Sequence, residues 1–118
     1  MEPETAPEEG LQPRILIVDG DAVFRRDLKA NCEQYGYVVS EAEGASDGVR
    51  EFEERLPNLV LLEAVLPDGS GLDVCRNIRR TDPKVPILMV SSRGEEIDIV
   101  VGLEIGADDY VVKPVRMR

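Results

Sequence analysis

Between residues 14 and 112, short apolar runs alternate with stretches in which apolar residues recur every three or four positions. "RILIV" (Arg14 to Val18) is the first run, and Phe24, Leu28, Cys32 and Tyr35 follow at helical spacing until Gly36. That spacing predicts a strand and then a helix. "YVVSEAE" (Tyr37 to Glu43) predicts a second strand, followed by Ala45, Val49, Phe52 and Leu56 on one face of a helix ended by Pro57. "LVLL" is a third strand, and Leu72, Cys75 and Ile78 start a third helix. "PILMV" (Pro86 to Val90), a helix over Glu95 to Ile105 and "YVV" (Tyr110 to Val112) complete the series. Strict alternation requires right-handed crossovers, so the fold class is α/β: a doubly wound five-stranded parallel sheet with helices on both faces.

One residue stands out against this pattern. In "VLLEAVLPDGSG" (Val60 to Gly71), the lone Glu63 closes a run of branched apolar residues. So short a run suits a strand covered on both faces, and its carboxyl end falls in the crevice where such sheets bind ligands. The plain alternative for Glu63 is a solvated turn. The residues after strands one, three, four and five share that crevice: Asp19 and Asp21, Glu63, Ser91 with Ser92, and Lys113. Two or three carboxylates facing a hydroxyl and an ammonium suit Mg²⁺ with a phosphoryl group, Lys113 supplying a point charge.

Composition narrows the setting. A chain of 118 residues, 42% hydrophobic and 32% charged, is expected to form one domain, and no segment approaches the length of a membrane span. Residues 1–13, "MEPETAPEEGLQP", do not resemble a secretory signal; an acidic disordered tail, a folded domain over residues 14–118 and a cytoplasmic location are expected. The formal charge is −10, and −6 once the four glutamates of that segment are set aside, which argues against nucleic-acid binding by this chain. Cys32 and Cys75 lack metal-ligand spacing and there is no His, so reduced thiols packing as small apolar residues are expected.

After the fifth strand only Lys113 to Arg118 remain, too few for a covering helix. Such a helix buries about four side chains at roughly 1.5 to 3 kcal/mol each, comparable with the whole stability of a small domain, about 5 to 15 kcal/mol. A partner subunit or exchanged element is expected to cover the gap, with a domain truncated before its fifth helix as the rival.

Taken together, "ILIVDGDAVFRRDL", "PNLVLLEAVLPDGSGLDVCRNIR", "PILMVSSRGEE" and "GADDYVVKP" resemble, in order and spacing, the receiver domain of two-component response regulators over nearly all of Arg14 to Pro114. The resemblance implies a flavodoxin-like sheet ordered 2-1-3-4-5. It also implies Mg²⁺-dependent phosphoryl transfer from a partner histidine kinase to an aspartate, and a switch that repositions the fourth helix and fifth strand. Asp19 matches the first of the family's acidic pair, Ser91 the switch hydroxyl, Tyr110 the rotating aromatic, Lys113 the phosphate-contacting lysine and Pro114 the proline after a cis bond. Plain readings stand beside these: a strand end for Ser91, edge packing for Tyr110, an ordinary turn for Pro114.

Two departures matter more than the matches. Gly20 replaces the second acidic residue, a Mg²⁺ ligand in the family, so a metal site of Asp19, Asp21 and Glu63 is expected to be weakened, with Asp21 either substituting or capping the following helix. Glu63 occupies the position of the phosphate-accepting aspartate, its carboxylate one methylene, roughly 1.5 Å, further out. Transfer needs alignment to about an ångström, so phosphorylation should be impaired. A permanent charge of about −1 should partly imitate a phosphoryl group of roughly −1.5 to −2.

Three functional readings follow: a receiver module impaired in phosphorylation or mimicking it, a pseudo-receiver acting only in assembly, and a small haloacid-dehalogenase-type phosphatase built on "ILIVDGDAV". The third is opposed by the missing insertion after Asp21 and by Asp108 and Asp109 preceding a strand, so no enzyme is expected. For the signalling surface, Ile97 and Val101 lie at i, i+4 beside Val100 and Leu103, which should pack on the sheet. The alternatives are an extended core and a homodimer face on the fourth helix and fifth strand.

Overall fold

A computed structural model describes residues 12–117. The elements run β1 (Arg14–Val18), α1 (Ala22–Gln34), β2 (Val38–Ala42), α2 (Ala45–Arg55), β3 (Leu59–Leu62), β4 (Val65–Leu66), β5 (Gly69–Ser70), α3 (Gly71–Thr81), β6 (Ile87–Ser91), α4 (Glu96–Ile105) and β7 (Asp109–Val112). Five of the strands form one parallel sheet ordered β2-β1-β3-β6-β7, which is the doubly wound order expected. The hairpin β4–β5 forms a separate two-stranded ribbon that the alternation did not reveal. The acidic tail expected over residues 1–13 falls, but for residues 12 and 13, outside the described residues. None of the described helices is long and apolar enough to cross a membrane.

The continuous apolar runs are explained by burial on both faces of the sheet, since successive side chains on a strand point to opposite sides. Leu16 and Val18 of β1 join Val60, Leu62, Ile87 and Met89 in the larger core, beneath Phe52, Val74, Cys75 and Ile78 of α2 and α3. Ile15 and Ile17 face the other way, with Leu61 and Val90, toward Phe24, Leu28 and Cys32 of α1 and toward Val115. Both cysteines are free thiols, Cys75 buried and Cys32 half-buried, as expected of small apolar residues.

Several local expectations need correction. Tyr35 does not continue the buried stripe of α1: it caps the helix, 73% exposed. Leu56 likewise leaves the α2 face, because it ends that helix in the left-handed conformation at φ 49° and points outward. The largest revision concerns α4, where Val100 and Leu103 are exposed rather than packed on the sheet. Gly102 is the one buried residue of this helix. A Cβ there would lie 3.0 Å from the Tyr110 ring, so the absent side chain lets the helix axis approach the sheet on that side. Ile105 then packs on the core, while Val100, two residues from Gly102, is carried to the far side.

Candidate functional site

The backbone ladder continues one step past the strand ends, and that step fixes the site. Glu63 N–H donates to the Val18 carbonyl (2.9 Å), Asp19 N–H to Ala42 (3.0 Å) and Lys113 N–H to Ser91 (2.9 Å). Asp19, Glu63, Ser91 and Lys113 therefore emerge in register at the carboxyl rim of the sheet. After Glu63 the chain folds back so tightly that Gly71 N–H reaches the Ala64 carbonyl at 2.7 Å. A Cβ on Gly71 would overlap the Glu63 carbonyl, so glycine is required at this close approach.

Glu63 is a buried ligand rather than a solvated turn, being 4% exposed. One carboxylate oxygen, Oε2, accepts from the Ser91 hydroxyl and from Val65 N–H at 3.0 Å. The other, Oε1, accepts from Ser92 N–H at 3.2 Å and lies 3.2 Å from the Lys113 ammonium. Burial pushes the Glu63 carboxyl up, but these four donors outweigh it and hold the group below the usual carboxylate range. Lys113 Nζ also donates to Asp19 Oδ2 at 2.7 Å and lies 4.2 Å from the centre of the Phe24 ring. Its burial lowers the ammonium's pKa, and the bonds to Asp19 and Glu63 more than reverse that, leaving it raised. Asp19 is itself buried, with Oδ1 taking Asp21 N–H at 2.9 Å.

The structure brings Asp19, Glu63, Ser91 and Lys113 together as the sequence suggested, and adds the backbone donors Val65 and Ser92, which carry no side-chain signal. It also missed Phe24 beneath the lysine, because a periodic apolar residue reads as ordinary core. Tyr110 and Pro114, which the resemblance matches to the family's aromatic and proline, lie beside this rim. Tyr110 is half-buried against the main core, and its hydroxyl donates to the Arg93 carbonyl at 2.6 Å. The Lys113–Pro114 peptide bond is cis.

The metal expectation fares differently. Asp21 caps α1: its Oδ1 accepts from Val23 N–H (3.0 Å) and Phe24 N–H (3.1 Å), the capping alternative offered for this residue. Among the described residues no cluster of three acidic or sulfur- or imidazole-bearing side chains is arranged to hold a metal ion. At Gly20, where a further carboxylate would be needed, an added Cβ would stand 2.9 Å from the Pro67 ring. The residues present do not fit the Mg²⁺ site that the family resemblance implies.

For the surface, Ile97 is 65% exposed, while Val101 is half-buried and faces inward. Both line a groove of about 240 Å³ between α4 and the loop after β3, with Val65, Leu72, Arg93 and Tyr110. They do not share one open patch, because the rotation of α4 that buries Gly102 turns Val101 toward the molecule.

A flavodoxin-like sheet with a carboxylate, a hydroxyl and a lysine meeting at its carboxyl rim defines the class of phosphorylation-controlled receiver modules. The sequence model for the response regulator receiver domain matches residues 15–118, and the chain belongs to that family. It is 43% identical over 106 residues to the transcriptional regulatory protein AfsQ1 of Streptomyces coelicolor, covering 90% of this chain and 47% of that protein. The alkaline phosphatase synthesis transcriptional regulatory protein PhoP of Bacillus subtilis is 37% identical over 92% of this chain and 45% of its own. The chain therefore spans about half the length of these curated relatives. A CheY-like receiver domain from Methanospirillum hungatei superposes with a TM-score of 0.85 at 33% identity, over 89% of this chain and 84% of that one.

Proposed function

We propose that this chain is the receiver module of a two-component regulator, one in which Glu63 occupies the place of the phosphoryl group and holds the switch partly on. The observation that carries the reading is the donor set around one carboxylate: Ser91 hydroxyl, Val65 and Ser92 N–H and the Lys113 ammonium. Oxygens projecting from a phosphorylated aspartate at position 63 would need donors of this kind, three strong acceptors meeting a cation, a hydroxyl and backbone amides. Here a glutamate satisfies them without transfer. The Ser91 hydroxyl donates to Glu63, and Tyr110 packs half-buried on the core.

The upstream partner of such a module is a histidine kinase or a small phosphodonor, whose transfer the extra methylene of Glu63 impairs. The downstream partner is a second copy, meeting through α4 and β7, where Ile97, Val100, Leu103 and Val112 are exposed apolar residues. The names of the relatives support a transcriptional readout, exerted through other protein surfaces since the acidic chain does not suit nucleic acid. A cytoplasmic location and no catalytic turnover of its own belong to the same reading. A phosphatase reading loses its acid–base group, because the Asp21 carboxylate is occupied in capping α1.

An assembly-only pseudo-receiver is the second reading, favoured by the failure of three carboxylates to cluster among the described residues. Sedimentation separates the two. Under the switch reading the chain self-associates at tens of micromolar, and Glu63→Ala, which removes the carboxylate, shifts it toward monomer. Under the assembly-only reading Glu63→Ala leaves association unchanged. Incubation with acetyl phosphate and Mg²⁺ gives no stable mass increase on either reading, and a modification located at Glu63 would overturn both.

A further inference from the structure

We infer that Lys113 is the resident cation of this centre, and that the folded, switched state is independent of divalent metal. The ammonium stands between the two buried carboxylates, 2.7 Å from Asp19 Oδ2 and 3.2 Å from Glu63 Oε1. A divalent ion bridging those same oxygens would have to stand beside it. The lysine is also held on a third side by the Phe24 ring, and its side chain is 17% exposed.

With the lysine in place, three further observations weigh against Mg²⁺ there. This ion demands near-octahedral oxygen geometry and keeps several of its waters, whereas Asp19 and Glu63 are 3% and 4% exposed and leave little access for a hydrated ion. All four of their carboxylate oxygens already accept a hydrogen bond from Asp21 N–H, Lys113, Ser91, Val65 N–H or Ser92 N–H. At Gly20 the Pro67 ring fills the space that a liganding side chain would enter. The fixed ammonium neutralises one of two neighbouring negative charges, the balance that a phosphoryl group would alter by adding charge and a metal would restore. With glutamate at 63 the charge is lower and the lysine suffices.

The inference rests on the switch reading, but its test has a separate readout. Amide chemical shifts and thermal midpoint are followed while MgCl₂, and then MnCl₂, is raised to 10 millimolar in the intact chain, on the order of a typical excess over weak sites. The expected result is no saturable shift at residues 19–21, 63–65 and 113, no Mn²⁺ line broadening confined to them, and the same midpoint in EDTA. Lys113→Ala should then acquire what the parent lacks: a midpoint lowered in EDTA and raised again by Mg²⁺ or Mn²⁺. If that variant fails to fold without metal and folds with it, the result is the same.

Saturable perturbation of the parent's rim by Mg²⁺ overturns the inference, whatever Lys113→Ala does. A Lys113→Ala variant that folds and ignores both metals overturns the assignment of the lysine as their substitute. A parent that binds Mg²⁺ yet loses association on Glu63→Ala refutes this inference alone. A parent blind to Mg²⁺ whose association ignores Glu63→Ala refutes the switch reading alone.

Discussion

The carboxyl rim of the sheet and the outer side of α4 and β7 are adjacent, and they are finished to different degrees. At the rim, buried polar groups meet one another completely; among the described residues no buried side-chain nitrogen or oxygen lacks a partner. On the outer side, α4 buries only Gly102 and exposes Ile97, Val100 and Leu103, and Val112 at the end of β7 is exposed as well. A polar site left half-satisfied inside a protein costs stability directly. An apolar surface left in water costs little to the fold but favours association. The difference teaches that the polar contacts of the rim are closed within the chain, whereas the outer side keeps apolar area in water.

Removing the lysine is the most damaging way to break the comparison from the rim side. In Lys113→Ala two buried carboxylates are left facing each other without their cation. Breaking a buried pair costs about 3 to 5 kcal/mol, and the low end applies because the lysine is partly exposed. Urea denaturation should give a loss of about 3 kcal/mol at neutral pH. A loss below about 1 kcal/mol, the range of surface pairs, would mean that the rim is solvated rather than closed.

The next effect attacks the link between the two regions. Arg79, on α3, donates to the Gly106 carbonyl at 2.9 Å, to Val85 at 2.6 Å and to Asp108 Oδ2 at 2.9 Å, pinning the carboxyl end of α4 and the start of β7. Arg79→Ala should cost about 2 kcal/mol, within the range for charged hydrogen bonds. Amide exchange should quicken in the last turn of α4 more than at the rim. Equal acceleration everywhere would show that α4 is not a separate unit.

Arg79 also marks where sequence reading stopped. The strands and the meeting of Asp19, Glu63, Ser91 and Lys113 were legible, because alternation and strand ends are local signals that topology then gathers into one place, whereas the strand order came from the resemblance to receiver domains. The Arg79 pin joins residues 27 and 29 positions apart, and such a contact has no local signature. Asp68 is similar: from the turn between β4 and β5 it accepts from Ala45 and Ser46 N–H, capping α2 across 22 or 23 residues because Gly44 has no side chain to do so. The orientation of α4 was misread for a physical reason. Its acidic residues Glu96, Asp98 and Glu104 are spread around the helix, so periodicity could not choose a buried side, and the choice was made by a residue without a side chain, Gly102.

pH sharpens the comparison more gently, acting on the Glu63–Lys113 pair of the rim. Glu63 is held below its ordinary range, so its contribution is present above the unfolded value of about 4.3 and is lost as pH falls through the lower folded one. Lys113 is raised, so its contribution is present below about 10.4 and is lost as pH rises through the higher folded value. Stability from this pair should therefore be level between those limits and fall outside both. Glu63→Gln should flatten part of the acid limb. An unchanged acid limb in that variant would assign the loss to other carboxylates.

The smallest expected effect on stability is the most telling about the outer side. Ile97 and Val100 are 65% and 54% exposed, and replacing both with serine removes little buried area, so the unfolding free energy should move by less than about 0.5 kcal/mol. If this side meets a second copy, the same double variant should sediment as a monomer where the parent associates, because apolar anchors at an interface centre carry much of its affinity. Val101→Ser provides the contrast, since its side chain is half-buried in the groove beside Tyr110 and should cost stability. A fall in stability from Ile97→Ser with Val100→Ser, and none from Val101→Ser, would mean that α4 is rotated from the position in which Gly102 faces Tyr110. Stability and association both unchanged would leave the apolar side without a role in dimer formation, and the rim would then have to signal through the groove under α4 instead.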